Sequence, residues 1–351
     1  MAPLPWREWL EHRALRMSKT VFVTGGAGYV GSHCCKAFAE AGWNVVVYDN
    51  LSRGWADFVQ WGPLVQGDIL DPDHLTRAMQ ACKPDAVAHF AALAYVGESV
   101  TQPAEYYRTN TAGSLNVLTA MRASKVRDIV FSSTCATYGV PIQTPIDEGH
   151  PQCPINPYGW SKLFVERMLA DHDAAYGMRY VALRYFNAAG ADPEGRIGER
   201  HVPETHAIPL AIEAALGVRP EFTIYGNDFN TRDGTAVRDY IHVTDLADAH
   251  LRALSYLGTH AKSETFNLGT GRGTSVAEML DAVEHATARR IRRVHGAHRP
   301  GDPASLIATA AHALKTLQWQ PQLSQVETMV RHALTWRDKQ PGTRPGQPAT
   351  A

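Results

Sequence analysis

The stretch that decides the fold is TVFVTGGAGYVG, residues 20–31. A β-branched run is followed by Gly25, Gly28 and Gly31, in the spacing GxxGxxG, and then by a helical segment. Glycines at this spacing allow a tight strand-to-helix turn whose backbone approaches a pyrophosphate at the helix N-terminus. The stretch therefore predicts the first strand, loop and helix of a dinucleotide-binding fold.

Further apolar runs of strand length alternate with longer helical segments: WNVVVYD, LVQGD, DAVAHFA, DIVFSS and MRYVALRYF. Alternation of this kind predicts a parallel, doubly wound sheet covered by helices on both faces. After about Phe186 the alternation weakens, and segments 187–204 and 226–237 have the composition of loops. We therefore predict an α/β protein, with a Rossmann sheet followed by a smaller C-terminal α/β part that binds the substrate.

The composition excludes several classes of protein. The 351 residues contain 34 Lys+Arg against 35 Asp+Glu, so no basic excess indicates binding to nucleic acid or to an anionic membrane. No apolar run reaches the ~18 residues of a membrane-spanning helix. Five cysteines without a CxxC pair and sixteen histidines without HExxH predict no disulfide framework and no metal site, and suit a reducing cytoplasm.

Asp49 ends the second strand run, 18 residues after Gly31. A carboxylate at this place accepts hydrogen bonds from the adenosine ribose and repels a 2′-phosphate, which favours NAD over NADP. Arg53 lies close by in the sequence and leaves NADP open. Asp68, after the third strand run, either faces the adenine or is a turn carboxylate.

Tyr158 and Lys162 form a Tyr-x-x-x-Lys motif, which places both side chains on one face of a helix. A phenol with a pKa of roughly 10 is a poor base, but a neighbouring ammonium and a positive nicotinamide ring favour the phenolate. Tyr and Lys four residues apart also occur often by chance, as a pair on the surface of a helix. The motif gains weight from the hydroxyl cluster 132–134, which ends the strand expected beside the nicotinamide.

From about Lys19 to about Trp336 the chain resembles the extended short-chain dehydrogenase/reductases, and among them the UDP-glucose 4-epimerases. The resemblance rests on TGGAGYVGSH, YDNLSRG, HFAALAYVGESV, FSSTCATYG, NPYGWSK, LRYFNAAGA, DGTAVRDYIHVTDLADAH, FNLGTGRGTSV and RPGDPASL. It implies a reversible interconversion of UDP-glucose and UDP-galactose with tightly bound NAD.

The resemblance also implies the site residues. Those at NAD are Gly25, Gly28, Tyr29, Val30, Gly31, Asp49, Asn50, Leu51, Ser52, Arg53, Gly54, Asp68, Ile69, Phe90, Ala91, Ala92, Leu93, Asn110, Tyr158, Lys162 and Phe186. The catalytic residues are Tyr158 as acid–base, Lys162, and Thr134 at the substrate hydroxyl. The substrate residues are Thr134, Asn187, His206, Arg238, Arg299, Asp302 and, walling the sugar pocket, Leu306.

Three other functions are weighed against this one. A 4,6-dehydratase or a decarboxylase of the same fold needs a carboxylate soon after Thr134, where this chain has Cys135-Ala136-Thr137. A UDP-xylose/UDP-arabinose 4-epimerase shares nearly all the motifs and stays open. A non-catalytic NAD-sensing protein would have no reason to keep both Tyr158 and Lys162.

The composition of the two ends and the resemblance together divide the chain, and the resemblance gives its assembly. Residues 1–18 are expected to be a disordered extension, 19–186 the NAD-binding domain, 187–338 the UDP-sugar-binding part, and 339–351 a disordered tail. A segment at about 237–258 is expected to return to the Rossmann core. A homodimer is expected through two apolar stripes: Leu115, Leu118 and Met121 on one helix, and Leu163, Val165, Met168 and Leu169 on another.

Overall fold

A computed structural model describes residues 18–260, 262–299 and 302–340. The predicted N-terminal extension, apart from Ser18, and the tail beyond Gln340 lie outside these described residues. The centre of the fold is a seven-stranded sheet in which every pair of neighbouring strands is parallel.

The strands are β1 (Thr20–Thr24), β2 (Asn44–Asp49), β3 (Leu64–Gln66), β4 (Ala86–His89), β5 (Asp128–Thr134), β6 (Arg179–Tyr185), β7 (Asn187–Ala189), β8 (Phe222–Tyr225), β9 (Val237–Arg238), β10 (Tyr240–His242), β11 (Glu264–Leu268), β12 (Thr274–Ser275), β13 (Arg293–Gly296) and β14 (Ser305–Leu306). The large sheet has the order β11-β6-β5-β4-β1-β2-β3.

The α-helices are α1 (Tyr29–Glu40), α2 (Pro72–Cys82), α3 (Val96–Thr101), α4 (Pro103–Tyr106), α5 (Gly113–Ala123), α6 (Pro157–Tyr176), α7 (Ala207–Ala215), α8 (Val243–Thr259), α9 (Val276–Thr287), α10 (Ala311–Leu317) and α11 (Val326–Asp338). A π-helical segment, Tyr107–Ala112, joins α4 to α5, and single 3₁₀ turns occupy Ala56–Phe58 and Cys135–Thr137.

Both faces of the large sheet are buried. Along β1, Val21 and Val23 contribute to one apolar layer and Phe22 to the layer on the opposite face. Because side chains alternate across a strand, a strand buried on both faces is apolar at every position. This is why the central runs are continuously hydrophobic, and the predicted α/β class with a doubly wound parallel sheet is confirmed.

The chain returns to the large sheet after a smaller part has begun. Helix α8 packs its apolar face into the layer that also contains α1, and β11 then pairs with β6. The returning segment therefore consists of α8 and β11, whereas the sequence placed it at about 237–258. Residues Val237–Arg238 and Tyr240–His242 instead form small sheets with β12, β14 and β7.

The smaller part has its own apolar core beyond the carboxyl ends of the large sheet's strands. Helices α7, α9 and α11 enclose it together with the pair β8–β13. Because β7 follows β6 directly, the first strand of this part continues from the end of the large sheet. No helix among the described residues is long and apolar enough to cross a membrane.

The apolar stripes predicted for a dimer mostly belong to this chain's own core, so that part of the prediction is wrong. Leu118, Met121, Val165 and Leu169 are buried against the sheet, and of the seven residues only Leu115 is exposed. Helical periodicity identifies an apolar face but does not tell which partner covers it.

Candidate active site

The glycine loop between β1 and α1 is shaped so that only glycine fits. Gly25 has a φ of 74°, and a Cβ there would lie 2.5 Å from the backbone nitrogen of Ala91. A Cβ on Gly31 would lie 2.2 Å from the carbonyl oxygen of Gly25. Helix α1 begins at Tyr29 without a side-chain cap, which leaves its first N–H groups for an anion. The loop fits the pyrophosphate of a dinucleotide.

Asp49, at the end of β2, stabilises this loop by hydrogen bonds. Its carboxylate accepts hydrogen bonds from the amides of Ala27, at 3.0 Å, and Leu51, at 2.8 Å. Burial raises the pKa of Asp49, while these two amides lower it. A carboxylate accepts up to about four hydrogen bonds, so Asp49 keeps acceptor capacity for ribose hydroxyls, as NAD requires.

Two other predicted cofactor residues make structural contacts. Asp68 accepts from the amide of Leu70 at 2.8 Å and from the side chain of Asn50 at 3.0 Å, as a turn carboxylate does. Asn110 lies in the π-helical segment and joins two parts of the site, because it bonds both backbone groups of Leu93 and donates to Ser161 at 3.0 Å. Contact of either residue with NAD stays a prediction.

The start of α6 places Tyr158 beside the end of β5. Asn156 caps the helix by accepting from the amide of Gly159 at 2.8 Å. A Cβ on Gly159 would lie 2.5 Å from the carbonyl oxygen of Ala136, so the absence of a side chain allows the helix to touch the 135–137 turn. Thr134, which precedes that turn, has its hydroxyl next to the Tyr158 phenol. Burial raises the pKa of this phenol, and the interaction with Thr134 offsets part of the rise.

The phenol and the ammonium of the Tyr-x-x-x-Lys pair have opposite pKa shifts. Burial raises the pKa of Tyr158 to about 12 and lowers that of Lys162 to about 7. Lys162 donates to the carbonyl of Ser132 at 2.9 Å, and its Nζ lies 4.9 Å from the centre of the Phe131 ring. The Lys162 ammonium is thus hydrogen-bonded to strand β5 and not to Tyr158. The activation of Tyr158 by Lys162 stays a prediction for the NAD⁺-bound enzyme.

A buried ion pair beneath Lys162 was missed by sequence reasoning. Glu166, one turn after Lys162, receives three hydrogen bonds from Arg184, at 2.9, 3.2 and 2.6 Å, and one each from Ser133 at 2.5 Å and Gln152 at 3.1 Å. Glu166 also raises the pKa of Lys162 against the effect of burial. The spacing Lys162-x-x-x-Glu166 indicates that the two side chains share a helix face. The ion-pair partner of Glu166, Arg184, lies on β6, and only the folded sheet brings it there.

Apart from Thr134 on β5, the residues predicted for the substrate lie on the smaller part. The pairing of β9 with β14 sets Arg238 opposite Leu306, and Arg238 forms an ion pair with Asp302. Leu306 packs in one apolar cluster with Phe186 and Cys135. Arg299 is exposed, with its guanidinium 4.0 Å from the centre of the Tyr225 ring.

Asn187 and His206 lie on the two segments that lead from the large sheet into the smaller part. The side chain of Asn187 donates to the carbonyl of Asp239 at 3.2 Å. The Nδ1 atom of His206 lies 2.7 Å from Glu199 and 3.2 Å from Glu204. Burial alone would lower the pKa of His206, but these carboxylates raise it to about 10. Glu199, His201 and Glu204 were not singled out in the sequence, although their spacing E-x-H-x-x-E-x-H was visible.

Known proteins are similar to this chain over most of its length. The profile of the NAD dependent epimerase/dehydratase family matches residues 21–269. A UDP-glucose 4-epimerase of Rhizobium leguminosarum bv. trifolii is 52% identical over 92% of this chain and 98% of its own length. A probable UDP-arabinose 4-epimerase of Oryza sativa subsp. japonica is 42% identical over 91% of this chain and 79% of its own.

A solved structure has the same fold. The UDP-glucose 4-epimerase from Brucella ovis, in complex with NAD, is 50% identical, with a TM-score of 0.89 over 91% of this chain and 98% of that one. The family profile covers more than two thirds of the sequence, and its residues include the glycine loop, Asp49 and the Tyr158–Lys162 pair. This chain belongs to the NAD dependent epimerase/dehydratase family.

Proposed function

We propose that this protein interconverts UDP-glucose and UDP-galactose, with NAD held in the site throughout the cycle. The observation that carries the proposal is the position of Tyr158 and Thr134 at the carboxyl end of β5, on the side of the sheet where the glycine loop opens. The identity of 52% to a UDP-glucose 4-epimerase supports the choice of substrate.

The chain's own groups supply acid–base chemistry at the sugar 4-hydroxyl. Tyr158 takes the proton from this hydroxyl and returns it, while Thr134 orients the oxygen by a hydrogen bond. Bound NAD⁺ supplies a hydride acceptor that gives the same hydride back, so the reaction has no net change in redox state. With a pKa of about 12, the phenol of Tyr158 needs the positive charges of the nicotinamide and of Lys162 to act as a base near neutral pH.

Epimerisation requires that the UDP be held firmly while the sugar turns. Arg238 and Arg299 offer planar donors that match phosphate, and Asp302 and Asn187 offer polar groups for the nucleoside. The sugar side of the site, by contrast, has the apolar surface of Leu306 and Phe186. A site with strong polar contacts to the UDP and only apolar side chains beside the sugar allows the 4-keto sugar to rotate. The sugar can then present its opposite face to the nicotinamide.

The 135–137 turn argues against dehydration or decarboxylation. These reactions move a proton at carbons next to C4, which calls for a carboxylate near Thr134. The turn contains Cys135, Ala136 and Thr137, and the hydroxyl of Thr137 donates to the carbonyl of Thr134 at 3.0 Å. A UDP-pentose substrate remains the second candidate, supported by the 42% identity to a probable UDP-arabinose 4-epimerase.

The chain works as a homodimer through exposed residues of the two predicted helices, of which Leu115 alone belongs to the predicted stripes. Trp160 and Phe164 are exposed on α6, with ring centres 5.7 Å apart, and Phe164 lies 6.0 Å from Tyr107. Leu115 on α5 is also exposed. A set of large apolar side chains on adjacent helices is typical of an interface, and a second copy of this chain can cover it with the same face.

The working compartment is the cytoplasm. All five cysteines are free thiols, and Cys34, Cys35 and Cys82 are buried in the core. A chain with this many unpaired thiols suits a reducing environment.

Turnover of UDP-galactose by the purified protein, without added NAD, tests the proposal. We expect UDP-glucose to form at a rate above that for UDP-arabinose turnover to UDP-xylose. Faster turnover of the pentose would replace the proposed substrate with the second candidate, and turnover of neither would refute both.

A further inference from the structure

The segment 199–206, between β7 and α7, brings two imidazoles and two carboxylates to one point. Glu199, His201, Glu204 and His206 each offer one ligand atom, and these four atoms all lie within 4.8 Å of one another. We propose that these four side chains form a binding site for one divalent cation of the Zn²⁺ type.

The distances between the ligand atoms lie on both sides of those expected around a shared ion, so small side-chain movements would complete the site. Zn²⁺ binds imidazole nitrogen and carboxylate oxygen at about 2.0–2.2 Å, which sets neighbouring ligand atoms roughly 3–3.5 Å apart. The Oε1 atom of Glu199 lies 3.2 Å from Nδ1 of His201 and 2.7 Å from Nδ1 of His206. Nδ1 of His201 lies 3.8 Å from Oε1 of Glu204.

Two of these atoms are buried and have no hydrogen-bond partner within the part of the chain that the structure describes. They are Oε1 of Glu199, whose side chain is only 6% exposed, and Nδ1 of His201. Although the two are close, they do not meet the angular requirements of a hydrogen bond. Buried polar atoms are nearly always paired, so two that point at a common centre indicate a ligand there.

The surroundings hold the ligands in place. The amides of Thr205 and His206 donate to Oε1 of Glu204, at 2.8 and 2.9 Å. The rings of Tyr29 and Tyr95 meet His201 edge-on, with ring centres 6.1 and 5.7 Å from the imidazole. Because Oε1 of Glu204 already accepts two amides, we expect Glu204 to be the weakest ligand, and Glu199 with the two histidines to dominate the affinity.

The donor set selects the class of ion. Mg²⁺ and Ca²⁺ prefer shells made of oxygen, whereas a mixed set of imidazole nitrogen and carboxylate oxygen suits Zn²⁺ and its transition-metal neighbours. The side chain of His206 is 42% exposed, which leaves an entry path for the ion. Co²⁺ can stand in for Zn²⁺ as a spectroscopic probe.

A bound cation would also explain why two carboxylates lie beside the proposed nucleotide site. Tyr29, which packs on His201, is the first residue of the helix at the glycine loop, and His206 is the residue predicted to meet UDP. Two carboxylates there would repel a diphosphate unless their charge is balanced, in part by the neighbouring imidazoles and fully by a bound cation. This consequence rests on the proposed function, but the binding of the ion does not.

The test uses the full chain with its NAD, treated with a chelator and then titrated with Zn²⁺ by calorimetry and with Co²⁺ by visible absorption. We expect one ion per chain. Glu199→Gln and His201→Asn should each weaken binding by about 100-fold or more, since even loss of a supporting residue costs about 10–100-fold. Glu204→Gln should weaken it less, and His285→Asn, which changes an exposed histidine on α9, should leave it unchanged.

Circular dichroism and NAD content show whether each variant folds. If the two variants do not, anomalous scattering from wild-type crystals grown with Zn²⁺ replaces them, and a peak among the four side chains supports the site. No binding by the wild type, equal binding by folded variants, or a peak only elsewhere would overturn the proposal. UDP-galactose turnover is measured in parallel, so that metal binding without turnover counts against the proposed function alone.

Discussion

At the scale of single residues, Tyr158 carries the sharpest prediction. Replacing it with Phe removes one oxygen and keeps the ring, which packs edge-on to Tyr106 with centres 6.4 Å apart. Loss of a general acid–base group typically costs about 100- to 10,000-fold in rate. We expect kcat for UDP-galactose to fall by at least this much, while NAD and UDP stay bound.

Two variants accompany Tyr158→Phe. Thr134→Val removes one hydrogen bond at the reacting hydroxyl and should be milder, and Tyr176→Phe, at the exposed end of the same helix, should be neutral. Substantial activity in a folded Tyr158→Phe protein would show that another group moves the proton.

The lowered pKa of Lys162 makes the free energy of unfolding of the NAD-free chain depend on pH. Its pKa is lowered by burial from 10.5 to about 7, so between these pH values the unfolded chain binds a proton that the folded chain does not. Stability therefore rises with pH in this window, by at most about 1.4 kcal/mol per pH unit. Lys162→Met lacks this contribution, so its stability relative to wild type should be highest below pH 7 and should decrease towards pH 10.5.

Urea unfolding of both proteins from pH 6 to pH 10 measures this difference. Lys315→Met, which changes an exposed lysine on α10, serves as the control and should follow the wild type. A difference between Lys162→Met and wild type that stays constant with pH would contradict the lowered pKa.

The side chain of Leu306 leads to a prediction about which UDP-sugars the protein accepts as substrates. It packs beside Phe186 and Cys135 at the expected sugar pocket and offers no partner for an amide. An unpaired buried amide costs about 1–3 kcal/mol, which is roughly tenfold or more in specificity. UDP-N-acetylglucosamine should therefore be a poor substrate, and Leu306→Ser should raise its kcat/KM relative to that of UDP-glucose. An unchanged ratio would mean that Leu306 does not gate the pocket.

Some of these residues could be predicted because local spacing is enough to identify them. The glycines of 25–31 and the Tyr158–Lys162 pair are each defined within one turn or one loop. Arg184 could not be assigned to Glu166 in the same way, because strand β6 brings it there from 18 positions away. The 199–206 cluster was visible as a spacing, but only the fold shows that its side chains converge.

At the scale of elements, six strands of the large sheet were predicted from their apolar runs. Strand β11 was not, because its buried run Phe266–Leu268 is short and lies in a loop-like context. The apolar faces of α5 and α6 were recognised, but each was assigned to a second chain although the sheet covers most of it. Sequence periodicity gives the direction of a face, and tertiary packing determines its partner.

The exposed residues of α5 and α6 give the prediction at this scale. Light scattering at micromolar concentration should find a dimer of the wild type. Phe164→Glu places a charge in the apolar face and should give a monomer that still binds NAD, because the side chain lies at the surface. Leu314→Glu, at an exposed position on α10, should remain a dimer. A wild-type monomer, or a dimer unaffected by Phe164→Glu, would contradict the proposed interface.

At the scale of the whole molecule, the proposed reaction gives the two parts of the chain separate tasks. The large sheet supplies the glycine loop, Asp49 and Thr134, while the smaller part supplies Arg238, Asp302 and Leu306. The central claim is that a hydride leaves C4 of the sugar and returns to it within one active site that opens between these parts.

The most direct test follows deuterium placed at C4 of the galactose in UDP-galactose. The purified protein is incubated with this substrate in ordinary water, without added NAD, and the product is examined by NMR. The account predicts UDP-glucose that keeps deuterium at C4, because the hydride never exchanges with solvent. UDP-glucose with hydrogen at C4, or no UDP-glucose, would contradict it.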